Sequence, residues 1–174
     1  YLGIDNVLAV RGDDSGFKKP LQYGRSANGY ACDLVGQIAA MNRGRYIEAD
    51  LLDAEPTSFC VGVGGYPEKH FEAPNLQLDV RRVKEKVDAG AHYVVTQMFF
   101  DNRHYFRFVE ACREQGIDVP IIPGLKILTS QKQLASIPRN FYVEIPALLA
   151  DEALANPERV PEIGVEWALK QSQE

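Results

Sequence analysis

The chain has 174 residues, 45% hydrophobic and 25% charged, and 24 acidic against 19 basic side chains give a net charge of −5. This is the balance of a globular domain and excludes disordered and fibrous classes. No run approaches the ~18 apolar residues that span a bilayer, and no basic face for a polyanion is visible, so neither a membrane nor a nucleic acid is an expected partner.

In chain order, the first apolar run is Asn6–Arg11. A helix is predicted from about Tyr30 to Met41, with Leu34, Val35 and Ile38 inward. Leu51–Thr57 reads as an irregular acidic connection. The second run is Ser58–Gly64. Leu76, Val80, Val83 and Val87 then recur at steps of four, three and four, one apolar helical stripe. Arg81, Arg82, Lys84, Glu85 and Lys86 fall mostly on its wet side. Gly90 follows as the residue that leaves this helix in a left-handed turn.

The third run is His92–Phe100, and a helix is predicted from Asn102 to Gln115, closed by Gly116 in the same way. Val119–Gly124 is the fourth run. Asn140–Ala155 reads as an irregular, Pro-bearing connection, and Pro157–Gln171 as the last helix. Continuous apolar runs, rather than alternating ones, predict strands covered on both faces, as in parallel sheets. Strand and helix in alternation imply right-handed βαβ units. Gly62-Val-Gly-Gly-Tyr-Pro67 lacks the third glycine of a dinucleotide fingerprint and turns into a charged loop, so it reads as a tight barrel-strand end.

No charged and apolar leader opens the chain. Three isolated cysteines, Cys32, Cys60 and Cys112, form no CxxC, which leads to the expectation of a reducing cytoplasm and of neither disulfide nor metal.

In parallel α/β folds, chemistry gathers where the strands end. Those positions carry Arg11-Gly12-Asp13, Gly65–His70, Thr96-Gln97 and Pro123–Lys126. Asp13 is either a turn cap or a catalytic carboxylate. Gln97, in an apolar context, is a core hydrogen-bonder or a ligand reader, and its strand-end place favours the latter. His92 and His104 read as surface or helix-start residues, and His70 as the better candidate of the three histidines. Lys126 leaves open a lyase or aldolase that works through a Schiff base and uses no bound cofactor. A non-catalytic fragment is the other alternative.

Taken together, Asn6–Asp13, Gly64–His70 with Glu72-Ala73, Lys86–Ala91, Val95–Asp101, Tyr105–Phe108 and Ile121–Gly124 resemble the flavin-dependent methylenetetrahydrofolate reductases, in order and nearly in spacing. The resemblance implies an α/β fold, the (β/α)₈ TIM barrel. It is present here as a partial barrel of about four βα units, strands four to seven, in one domain over residues 1–174. It implies FAD as cofactor, NAD(P)H as hydride donor and 5,10-methylenetetrahydrofolate as substrate, in one-carbon metabolism and methionine synthesis. A homo-oligomer is implied at full length. The family's general-acid glutamate belongs to an early strand outside this chain, so the chain alone is expected to be inactive.

Residue by residue, the resemblance assigns Arg11, Gly12, Asp13, Tyr30, Ala31, Tyr66, His70, Phe71, Glu72, Ala73, Asp79, Arg82 and Lys86 to the flavin. Asp13 and Gln97 would be catalytic, and Asp13, Gln97 and Gln133 would meet folate. Glu85 stands where a basic residue is common in the family, and Ile137 where some members place an aromatic. A carboxylate such as Asp13 suits the cationic iminium form of the folate, which it would stabilise electrostatically.

Overall fold

The computed structural model describes residues 3–11, 28–48 and 50–174. Four strands alternate with helices: β1 (Asn6–Ala9), α1 (Ala31–Met41), β2 (Cys60–Gly65), α2 (Leu76–Asp88), β3 (Tyr93–Met98), α3 (Asn102–Glu114) and β4 (Ile121–Gly124). Then come α4 (Gln133–Phe141), α5 (Ala147–Ala155), a single 3-10 turn at Pro157–Arg159, and α6 (Val160–Gln173). The sheet order is β1-β2-β3-β4, every pair parallel. This is the α/β alternation of a partial TIM barrel.

The strands form because β-branched residues suit a pleated surface packed against a helical layer. The α1–α3 helices cover one face. Val61 and Val63 of β2 and Val94 of β3 pack there against Val80 and Val83 of α2 and Phe108 and Cys112 of α3, all fully buried. Each such aliphatic side chain contributes about 1.5–3 kcal/mol on burial. Alternation along the strands sends Leu8, Gly62, Tyr93, Val95 and Ile122 to the opposite face. There Leu8 is 49% exposed.

Register pairs Gly62 with Tyr93. The Tyr93 ring lies over Gly62 so closely that a Cβ at that position would collide with it. Gly90 and Gly116 have φ of +122° and +70°, the left-handed exits predicted for α2 and α3.

A second core joins the carboxyl end of β3 to the last three helices. Phe100, Leu128, Ile137, Val143, Leu149, Ala153, Val160 and Ile163 fill it. Ile137 is thus a core residue here. Asn140–Ala155 corrects the sequence expectation: most of it is helix, not irregular connection. Pro146 is the N-cap of α5 and closes a short connection, 142–146, where the irregular stretch is confined. Leu149 and Ala153, one turn apart, anchor α5 in the core. The strands are also one to three residues shorter than the predicted runs, although β2 ends one residue later, at Gly65. Among the described residues no helix is long and apolar enough to cross a membrane.

Candidate functional site

The carboxyl ends of β1 and β2, the start of α1 and one face of α2 enclose a cleft. Arg11, Tyr30, Ala31, Tyr66, His70, Glu72, Asp79, Arg82 and Lys86 line it, together with Cys32, Gly64 and Glu85. Nine of the eleven described flavin candidates therefore share one cavity. The other two, Phe71 and Ala73, sit on the same loop outside its lining. Gly12 and Asp13 lie outside the described residues.

The loop after β2 is built around Asp79. Its carboxylate is 4% exposed and accepts the His70 backbone N–H at 2.8 Å. Burial pushes the Asp79 carboxyl above the usual range, while the His70 N–H and the Lys86 charge act in the opposite sense. Asn75 caps α2 by accepting from the Leu78 N–H at 2.9 Å. The loop closes with the Ala73 N–H donating to the His70 carbonyl at 2.9 Å. His70 meets Tyr66 edge to face at 4.6 Å and tilts against Phe71, which stacks on Tyr142 at 4.8 Å. The result is an aromatic wall from β2 to the end of α4.

Lys86 corrects its expected place on the wet face. It is half-buried, and its Nζ donates to the Gly64 carbonyl at 2.9 Å. Burial lowers its pKa, and nearby Asp79 raises it in part. A signal for this was present: Asp79, Val83 and Lys86 follow one another at steps of four and three, so they share a helix face.

The other two cations of the cleft are paired. Arg11 bonds Glu72 at 2.5 Å and lies 6.0 Å from the Tyr30 ring centre. Arg82 is held by both carboxylate oxygens of Glu85 at 3.0 and 2.9 Å. Among the described residues Lys86 is the lining cation with no carboxylate in salt-bridge range. A phosphate in the cleft would find Lys86 free of a carboxylate partner and would compete with Glu72 and Glu85 for the arginines.

Gln97 occupies a neighbouring shallow recess with Tyr66, Met98, Tyr142 and Val143. Register explains its position. Val95 pairs with Ile122 but Met98 with Gly124, so β3 carries one extra residue there. Such bulges re-aim side chains next to sites. Thr96 stabilises the bulge by accepting the Gly124 N–H at 2.9 Å. Gln97 Oε1 accepts from the Met98 N–H at 3.0 Å, and its Nε2 bonds no described residue. Gln97 is thus half engaged and half open.

Gln133 is not brought to either recess. Its Oε1 accepts from the Thr129 N–H at 2.7 Å, closing the turn into α4. Lys126 is exposed after β4 and lines neither cavity, whereas a Schiff-base lysine works from an enclosed site. His92 is a strand-positioning residue: its Nδ1 accepts from the Val61 N–H at 3.0 Å. Sequence reasoning missed Cys32 and the Gly64 carbonyl. Cys32 lies one residue past Ala31, and a backbone carbonyl leaves no mark in sequence.

Comparison with known proteins identifies the family. All 174 residues match the family model for methylenetetrahydrofolate reductase. The 5,10-methylenetetrahydrofolate reductase of Escherichia coli is 38% identical over 149 residues, 85% of this chain and 43% of that protein. Methylenetetrahydrofolate reductase (NADH) 1 of Arabidopsis thaliana is 36% identical, over 95% of this chain and 28% of its own length. The chain therefore spans less than half of these curated relatives. A Clostridium thermocellum protein described as binding two copies of 5-methyl-5,6,7,8-tetrahydrofolic acid superposes with a TM-score of 0.52. It covers 67% of this chain and 41% of its own at 21% identity, a likeness of fold.

Proposed function

The chain belongs to the methylenetetrahydrofolate reductase family of flavin-dependent oxidoreductases, and from that premise we propose that residues 1–174 form the FAD-binding part of a barrel that reduces 5,10-methylenetetrahydrofolate to 5-methyltetrahydrofolate at the expense of NAD(P)H. The observation that carries this reading is the convergence of Arg11, Tyr30, Tyr66, His70, Asp79, Arg82 and Lys86 on one cleft.

The residues present fit the cofactor. Lys86, with Arg82 and Arg11, would hold its phosphates. Tyr66 and His70 offer a planar wall beside it. When bound, the flavin supplies the hydride relay between nicotinamide and folate. Asp79 keeps the His70 loop in place through its backbone bond. Gln97, with its Nε2 uncommitted, would orient the carbonyl of whichever substrate enters the neighbouring recess. Asp13 would supply the negative field for the cationic folate.

The full-length protein should purify yellow. Its flavin absorbance should bleach anaerobically with NADH or NADPH and return on adding methylenetetrahydrofolate. A colourless protein, or bleached flavin that folate does not reoxidise, would overturn the reading.

A further inference from the structure

Glu68, His104 and Glu144 bring three ligand atoms within 4.8 Å of one another. They come from three separate segments: the loop after β2, the first turn of α3, and the α4–α5 connection. Among the described residues, one buried side-chain polar atom lacks a hydrogen-bond partner, and it is Glu68 Oε1. The other oxygen, Oε2, accepts from the Glu144 backbone N–H at 2.9 Å. The carboxylate is therefore pinned with one oxygen committed and one orphaned. An unmade bond of this kind is costly for a buried carboxylate.

Two carboxylates lie close together here, and the nearby Asp101 adds to the negative field around Glu68. Arg103 is paired with Asp101 at 2.5 Å and also feels Glu144, so it offsets only part of this field. His104 offsets another part, and a cation seated among the three would satisfy the orphaned oxygen.

We propose that Glu68, His104 and Glu144 form a binding site for a divalent transition-metal ion of the zinc class. An imidazole nitrogen beside two carboxylate oxygens suits Zn²⁺, Co²⁺ or Ni²⁺, whereas Mg²⁺ and Ca²⁺ favour oxygen alone. Tetrahedral zinc with bonds of ~2.1 Å holds its ligand atoms roughly 3.4 Å apart. The trio therefore needs to close by little more than an ångström. Water completes the shell on the exposed Glu144 side. The ion cross-links the Tyr66–His70 loop to the segment that carries Tyr142 and Val143, and so stiffens the recess around Gln97. One group opposes it: Arg107 lies 3.3 Å from His104 Nδ1, and an ion on that nitrogen displaces this exposed arginine. The site does not depend on the proposed reductase function.

The test titrates full-length protein, stripped by chelator, with Zn²⁺ and with Co²⁺ alone. One ion per chain should bind, with the visible d–d absorption of low-coordinate cobalt and a raised melting temperature. Glu68→Gln and His104→Ala should each weaken binding by about tenfold or more and abolish the thermal gain. Arg107→Gln should tighten it. Without metal, Glu68→Gln should melt no lower than the parent, so lost binding reads as a lost ligand rather than a lost fold. A Cys32→Ser, Cys60→Ser background should leave the site intact. Absence of stoichiometric binding, binding that survives the Glu68 and His104 changes together, or binding that disappears with the cysteines would each overturn the proposal.

Discussion

Lys86 Nζ and the Gly64 carbonyl meet at 2.9 Å, joining the last turns of α2 to the end of β2. The bond turns a helix lysine out of solvent and into the cleft, where its charge is weakly screened. Under the proposed function this charge is what an incoming phosphate meets. Lys86→Met keeps the aliphatic stem and removes the cation. Its FAD dissociation constant should rise about tenfold or more, the worth of a charged hydrogen bond, while circular dichroism stays unchanged. Flavin retention equal to the parent's would show that Lys86 only supports the strand.

Asp79 sets a pH dependence of unusual sign. Its folded carboxyl titrates above the unfolded value near 3.8. Between those two values the folded state binds the extra proton, so this group's contribution to stability falls as pH rises. Asp79→Asn still accepts the His70 N–H. The variant should gain on the parent in melting temperature at pH 7, and the gain should shrink towards pH 4. A gain that grows on acidification contradicts the burial argument.

Glu85 competes for Arg82 at the cleft mouth, and the pair is largely exposed, with Arg82 at 72%. Solvent screens an exposed pair of this kind, so it holds weakly. Glu85→Lys should tighten FAD by about two- to fivefold, an effect that fades at high salt. Fluorescence titration at two ionic strengths measures it, and no change at low salt would place the phosphates elsewhere.

Cys112 is fully buried on the inner face of α3, and burial pushes its thiol up to about 12. It should carry roughly a thousandfold less thiolate than an ordinary cysteine. A brief alkylation at pH 8 should label the half-buried Cys32 and Cys60 and spare Cys112 until denaturant is added. Peptide mass spectrometry reads each site. Equal labelling of all three would contradict the packing of α3 on the sheet.

Asp13→Asn should slow folate reduction roughly a hundredfold, the cost of losing one preorganised electrostatic contact, and slow flavin reduction by NAD(P)H much less. Stopped-flow measurement of the two half-reactions separates them. Equal slowing would make Asp13 a flavin-positioning residue only.

Sequence alone was sufficient for the βαβ alternation, the apolar stripe of α2, the extent of α3 and the glycine exits at Gly90 and Gly116. These depend on local spacing and on backbone sterics, which a linear chain carries. Arg11, Tyr66, His70 and Gln97 were legible as strand-end residues for the same reason. Tertiary structure alone decided the rest. The β3 bulge that re-aims Gln97 arises from its register against β4. The helical state of α4 and α5 depends on a core assembled from Phe100, Leu128 and Ile163. Lys86 finds a carbonyl 22 residues away, and Glu68 meets Glu144 across 76. Contacts of that reach are fixed by packing, where burial and hydrogen-bond satisfaction override the local preference of each residue.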